Sequence, residues 1–400
     1  MTPQAFFPAW PSALNVLTAT GVILIVGLLG AHFLRRVFPQ VPVITGYVLT
    51  GVLIGPSGLN LINVSLLDDI SLVVDLSLGL VLFELGRRVD YKWLLRERGM
   101  LITGVALSTV TYFALLLLLT QLGVGVLIAS MAAALGMATS PAVILNVVRE
   151  VRAEGQVSER MLNIVVIGNA LAFVVFSMGL AGVHMEYQAD WKSYLLHPFY
   201  LLLGSILLGA VMSRLLLWIG GLLGRDSQTQ LILVLALIAA TVGIGAMFNL
   251  SALIALLSFG IASRIKDARH AIVEPDLSPF TSLFYVALFV FAGANLELKH
   301  LLALWQVALA FIALRLVITI GMTTSLAHLN GISVRKGALL GFGLTPLSGF
   351  NILMVQHAVG YYPQFGAELS ALVVSILIVL EIFGPICTRI ALVASGEAKL

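Results

Sequence analysis

Several polar residues sit in stretches of this sequence that are otherwise almost wholly apolar. Thr139 and Ser140 precede Pro141 in A-T-S-P-A-V (138–143), and Thr345, Ser348 and Asn351 surround Pro346 in L-T-P-L-S-G-F-N (344–351). Asn169 lies in I-G-N-A-L-A-F (167–173), Glu381 opens E-I-F-G-P-I (381–386), and Arg315 is the centre of A-L-R-L-V (313–317). Hydroxyl, amide and carboxylate oxygens are ligands for hard cations. A carboxylate can in addition hold a proton in place of the cation. A proline inside a helix removes one backbone donor and leaves a carbonyl free to join such a ligand set. The sequence has no His/Cys cluster, nucleophile constellation or phosphate-binding glycine loop. Enzyme chemistry, a cofactor and a resident metal are therefore not expected.

The composition says what must position these groups. The chain has 400 residues, of which 60% are hydrophobic and 10% charged, with a mean hydropathy of +1.06. Soluble domains carry about 25% charged residues, so this is an integral membrane protein. The isoelectric point near 9.0 does not point to nucleic acid, because the basic residues are scattered between apolar runs. The single cysteine, Cys387, excludes an intrachain disulfide. No Lys or Arg precedes the first apolar run, which argues against a cleaved signal peptide.

A spanning helix needs about 20 mostly apolar residues. Thirteen runs qualify, with limits near 12–34, 41–56, 70–86, 99–121, 123–147, 161–184, 195–219, 229–247, 250–264, 281–297, 300–327, 335–360 and 366–390. Runs two, three, nine and ten are short, which predicts helices broken or sheltered by their neighbours. Loops after odd-numbered runs hold nearly all the basic residues, among them Arg35, Arg36, Arg87, Arg88, Arg149, Arg152, Arg264 and Arg335. Loops after even-numbered runs hold only Lys192 and Lys299. The positive-inside bias then predicts a cytoplasmic C-terminus and an external N-terminus, and the expected location is the inner (cell) membrane of a bacterium. The chain reads as a single transmembrane domain with no soluble regulatory module, so a regulatory subunit would be a separate chain.

Thirteen runs divide into six (12–184), a connector (195–224) and six more (229–390), which gives halves of opposite orientation. This is the inverted-repeat plan of many secondary transporters, whose sites are marked by interrupted segments at corresponding places in the two halves. Runs five and twelve occupy those places. Pro141 interrupts one; Pro346, amid Gly341, Gly343 and Gly349, interrupts the other. Each is expected to unwind near the midplane and to offer carbonyls, helix ends, Thr139, Ser140, Thr345, Ser348 and Asn351 as ion ligands.

At this point the sequence resembles the sodium/hydrogen exchanger family, nearest its Kef-type cation:proton antiporter branch. G-Y-V-L-T-G-V-L-I-G-P-S-G-L-N (46–60) is similar to the family's second-helix signature, L-S-L-G-L-V-L-F-E-L-G (76–86) to its third helix, and A-T-S-P-A-V to its first broken helix. L-F-Y-V-A-L-F-V-F-A-G-A-N-L-E-L (283–298) resembles the tenth helix, and E-I-F-G-P-I is a weaker match. The resemblance implies an all-α fold of about thirteen transmembrane helices with two broken, crossing helices. It also implies a panel domain with dimer contacts, a mobile core, and alternating access that exchanges Na+ or K+ for protons.

One residue departs from that pattern. The family's proton-carrying carboxylate is an aspartate on the sixth helix, and alignment through A-L-A-F-V-V-F places Asn169 at its position. An amide can ligate a cation through its oxygen but has no proton to exchange. Two further readings follow: the same fold without proton coupling, as a uniporter or carrier of another solute, or a transport-inactive membrane partner or sensor. Of the 19 acids, Asp75, Glu84 and Glu381 are the candidates for a place inside the spans. Glu84 is expected to reach the membrane interface and Asp75 to line a mouth or serve the structure. Glu381 lies at a depth like that of Asn169, each roughly 12–14 Å from the basic edge at ~1.5 Å per residue. Intramembrane acids cost ~2.5–3.5 kcal/mol on insertion scales and mark function by default; alternatively Glu381 neutralises Arg315 or pairs with backbone near Gly384 and Pro385. Arg315 keeps its charge in any setting and so needs an acid or helix-end carbonyls. His357 titrates near neutral pH in principle, but a partner in nearby backbone is the simpler expectation. Gly220–Gly224 and Gly337–Gly341 are weak packing signals.

Overall fold

The computed structural model of the chain describes residues 15–39, 41–62, 64–88, 98–186, 191–223, 226–266, 278–296, 298–348, 351, 354–355, 358 and 363–399. Among them there is no strand. The helices are α1 (Val16–Val37), α2 (Val43–Ile54), α3 (Val64–Arg88), α4 (Arg98–Gln121), α5 (Val126–Met137), α6 (Pro141–Glu150) and α7 (Gln156–Glu186). They continue as α8 (Trp191–Leu223), α9 (Ser227–Met247), α10 (Ala252–Lys266), α11 (Ser278–Ala294), α12 (Leu298–Ser325), α13 (Val334–Gly343) and α14 (Pro363–Ala394). A short 3-10 turn, Ala327–Asn330, joins α12 to α13.

Among the described residues every apolar run has its helix, and runs five and twelve break near their proline residues. Eight helical segments among the described residues are long and apolar enough to cross a membrane, and the shorter apolar helices include Val43–Ile54, Ala252–Ile265 and Leu283–Ala294. Runs two, nine and ten are thus short, as expected. Run three is not: α3 has 25 residues. Asp68 and Asp69 lower the hydropathy of its first turns, but a polar side chain does not interrupt the backbone ladder, so the helix begins before the apolar run does.

The breaks have local causes. Pro141 cannot donate, and it pushes the residue before it out of the helical region. Ala138 and Ser140 are accordingly extended (ψ 139° and 110°). Ser140 then starts α6 as its N-cap, its Oγ accepting from Val143 N–H at 3.3 Å with Pro141 in the first turn, the arrangement helix starts favour. Pro346 acts likewise: α13 stops at Gly343, residues 345–348 are non-helical, and helix resumes by Asn351.

Contacts sort the helices into two bundles, α1–α3 with α8–α11 and α4–α7 with α12–α14. Apart from the chain-adjacent pair α7–α8, the main contacts between bundles are α2 with α14 and α3 with α6. Ion pairs sit on this seam. Glu84 of α3 pairs with Arg149 of α6, so it is buried between bundles instead of reaching the interface. Glu150 of α6 accepts from Val43 N–H at 3.2 Å and Arg389 at 3.4 Å, with Arg35 of α1 at 3.9 Å.

Within the second bundle, Gly337 and Gly341 let α13 lie directly on α12, where a Cβ at Gly341 would come within 2.6 Å of Ile320 Cα. Gly384 does the same for α14 against the run-twelve break: a Cβ there would lie 2.8 Å from Pro346 Cα and 3.0 Å from Pro346 Cβ. Backbone cannot step aside as a side-chain tip can. Gly384→Ala should therefore cost about 1–3 kcal/mol, the range for overpacking, read as a lowered unfolding midpoint of the purified protein. An unchanged midpoint would show that α14 is free to move away from the break.

Candidate functional site

The two breaks meet. Ser140 N–H donates to Pro346 O at 3.1 Å, so the non-helical segments of runs five and twelve cross in direct backbone contact. Each crossing chain leaves carbonyls without helical partners, and the site is built from how these are satisfied.

Arg315 satisfies most of them. Its Nε donates to Gly136 O at 2.8 Å and Nη1 to Thr345 O at 2.7 Å, while Nη2 reaches Ala138 O at 3.1 Å, Leu344 O at 3.3 Å and Thr139 Oγ1 at 3.3 Å. One guanidinium thereby closes the C-terminal ends of both α5 and α13. Each such end carries roughly half a negative charge, and two together match the single positive charge of a residue that is 2% exposed. No ion pair between Arg315 and Glu381 occurs among the described residues, so the sequence expectation that Glu381 neutralises Arg315 does not hold. The helix-end carbonyls already do it.

Two amides complete the crossing. Asn169 Nδ2 donates to Thr139 O at 2.7 Å and to Val165 O on its own helix at 2.8 Å. Asn351 Nδ2 donates to Leu135 O at 3.1 Å. The carbonyls expected as free ligands are in this way largely engaged, by Arg315, Asn169 and Asn351. The oxygens left over are side-chain ones. Asn351 Oδ1 and Glu381 Oε2 are buried and have no hydrogen-bond partner among the described residues.

Glu381 belongs to the same neighbourhood through α14. Gly384 and Thr388 lie three and seven residues on, on the same helix face. Gly384 rests on Pro346, and Thr388 Oγ1 donates to Gly343 O at 2.8 Å. The Glu381 side, one turn away, thus faces the run-twelve break. Pro385 lies inside α14, and it is the residue whose N–H would have bonded Glu381 O in an unbroken ladder. Glu381 therefore has an unpartnered carboxyl oxygen and a carbonyl released from the helix at one position.

The structure brings together Thr139, Ser140, Pro141, Asn169, Arg315, Thr345, Pro346 and Asn351 by direct contact, with Ser348 buried in the same segment. Asp75, half-buried on α3, belongs to the other bundle. His357 lies outside the described residues. Sequence reasoning missed Glu397. Its carboxylate accepts from Val157 N–H at 2.8 Å and Ser158 N–H at 2.9 Å, capping the start of α7, with Lys336 of α13 at 3.4 Å. Lys399 N–H donates to Val151 O at 2.9 Å. The end of the chain thus pins the helices that carry Asn169 and the run-twelve break, and no periodicity announces so distant a pairing.

A family model described as sodium/hydrogen exchanger, transmembrane, matches residues 20–393. The chain belongs to the sodium/hydrogen exchanger family. This is a family of transporters, not enzymes. Two solved structures of the sodium proton antiporter MjNhaP1 from Methanocaldococcus jannaschii are similar in fold. One, at pH 8, is 18% identical with a TM-score of 0.68, covering 95% of this chain and 96% of that one. An electron-microscopy structure is 18% identical with a TM-score of 0.63, covering 97% and 100%. No curated protein matches the chain.

Replacing Arg315 by Met should cost about 3–5 kcal/mol, as when one side of a buried charged network is removed, because four carbonyls lose their donor together. The Arg315→Lys variant should fall between, since a compact ammonium cannot reach both helix ends. Thermal unfolding of both variants checks this; equal stability of the Arg315→Met variant and the parent would contradict the capping role. For Glu397, partial burial opposes ionisation, but the Val157 and Ser158 N–H groups and Lys336 outweigh it and hold the carboxyl below its ordinary range. A depressed folded pKa gives stabilisation that is complete above the ordinary glutamate value of ~4.3 and lost as pH falls through the folded value. Glu397→Gln should lower the unfolding temperature at neutral pH, and the gap to the parent should narrow as the pH falls below the ordinary glutamate value and close once it passes the depressed folded value. A gap independent of pH would refute the charged cap.

Proposed function

We propose that this protein exchanges a monovalent cation, Na+ or K+, for protons across the membrane by alternating access, one helix bundle moving against the other. The observation that carries the reading is Glu381, a buried carboxyl with an unpartnered oxygen beside the crossing of the two broken segments. A carboxyl so placed needs a proton or a cation to neutralise it, which is the competition that antiport requires. Glu381 Oε2, the Glu381 carbonyl and Asn351 Oδ1 are the proposed cation ligands, with Ser348, Thr345, Ser140, Thr139 and Asn169 lining the site and Arg315 holding the two breaks in register. Family membership supports cation:proton antiport as the class of activity. The location is proposed to be a bacterial inner membrane, the assembly a homodimer of two six-helix repeats per chain, N-terminus outside and C-terminus in the cytoplasm, with any regulatory subunit a separate chain.

Asn169 favours a second reading, transport without proton coupling, because its amide is bonded to backbone and cannot titrate. Reconstituted vesicles separate the two. Sodium or potassium added outside should dissipate an imposed pH gradient, and Glu381→Gln should reduce that exchange at least tenfold while Asn169→Asp keeps or enhances it. Cation flux indifferent to the pH gradient in the parent would support the uncoupled reading. Full exchange in Glu381→Gln would remove Glu381 from the proton path.

A further inference from the structure

α1 carries a face that the transport site does not use. Ile25, Leu28, Leu29, His32, Arg35 and Arg36 fall at i, i+3, i+4, i+7, i+10 and i+11, one side of a helix about a third of a turn wide. Ile25, Leu28 and Leu29 are 60%, 53% and 64% exposed. Above them, at the last turn of the helix, His32, Arg35 and Arg36 line an open cavity of about 400 Å³. The stripe therefore runs from apolar to cationic along one line, and it ends at the level where a spanning helix leaves the hydrocarbon.

We propose that this cavity binds the phosphate headgroup of an anionic glycerophospholipid, with an acyl chain laid along Leu29, Leu28 and Ile25. The charges favour this occupant over a second copy of the chain. In a symmetric contact the same patch meets itself, and Arg35 and Arg36 would then oppose their own like charges. The helix C-terminus favours cations, and that accounts for Arg35 and Arg36 in the last turn, but not for the cavity that they and His32 line. Arg36 has no ion pair or hydrogen bond among the described residues. Arg35 is 54% exposed and stands 3.9 Å from Glu150, at the outer limit of an ion pair. Glu150 keeps Val43 N–H and Arg389 as nearer partners, so Arg35 is the member free to turn toward a phosphate. Lipid occupancy would thus draw Arg35 off the seam between the two bundles and leave the other contacts of Glu150 in place.

The test uses the full chain in nanodiscs of phosphatidylcholine mixed with phosphatidylglycerol, followed by gentle delipidation and native mass spectrometry. The parent should retain phosphatidylglycerol in preference to phosphatidylcholine. Arg35→Gln combined with Arg36→Gln should cut that preference about tenfold, since each basic contact with an anionic headgroup contributes measurably. The Arg35→Lys, Arg36→Lys pair should keep it, which guards against a folding defect, and Glu150→Gln should keep or raise it by removing the competitor for Arg35. Undiminished preference in the double Gln variant would overturn the proposal. So would displacement of the lipid by millimolar inorganic phosphate, which would make the ligand a free anion. A shift from dimer to monomer in the double Gln variant with lipid preference unchanged would assign the face to a second copy instead.

Discussion

A single guanidinium, Arg315, lets this chain break two helices inside a membrane. Non-helical backbone is excluded from lipid because each carbonyl or amide left unsatisfied there costs several kcal/mol. Two breaks at the same depth double that penalty. Here both terminate within reach of one planar donor group, whose fork contacts Gly136, Ala138, Leu344 and Thr345 at once. The crossing, the buried hydroxyls and the two asparagine amides are all arranged around carbonyl groups that Arg315 has first made tolerable. Lysine, a point charge on a flexible stem, could not serve two helix ends in fixed geometry.

The fold was legible in the sequence where its causes are local. Pro141 and Pro346 name the breaks because proline acts on its own backbone and on the residue before it. The thirteen runs are legible because hydropathy needs no knowledge of partners. The length of α3 was not, since hydropathy reads side chains while the helix is held by backbone. At the crossing of the two breaks, residue types pointed to the side chains that meet there, but not to their pairings. Arg315 could have been matched with Glu381 or with carbonyls, and a carbonyl leaves no mark in a sequence. Glu397 was invisible for another reason: its partners, Val157 and Ser158, are some 240 positions away, and nothing local selects that contact.

The two bundles are held together differently from the way each is held within itself. Inside a bundle, glycines such as Gly341 and Gly384 bring backbone onto backbone. Across the seam, the α3–α6 and α2–α14 contacts are reinforced by the Glu84–Arg149 pair and by the shared carboxylate of Glu150. A buried ion pair adds little net stability once the desolvation of both charges is counted, whereas interlocked backbone cannot separate without losing its packing. The seam is the weaker surface, and it lies beside the site.

Pro385 gives α14 a consequence for voltage. By freeing a carbonyl where Glu381 already offers its carboxyl, it concentrates the exchangeable chemistry of the crossing in one residue. Arg315 holds a constant charge throughout. On the proposed reading, the loaded site then carries the same net charge whether Glu381 holds one proton or one monovalent cation. Swapping them leaves the charge moved in each half of the cycle identical, so the work is drawn from concentration gradients, and the electrical potential across the membrane neither drives nor opposes it.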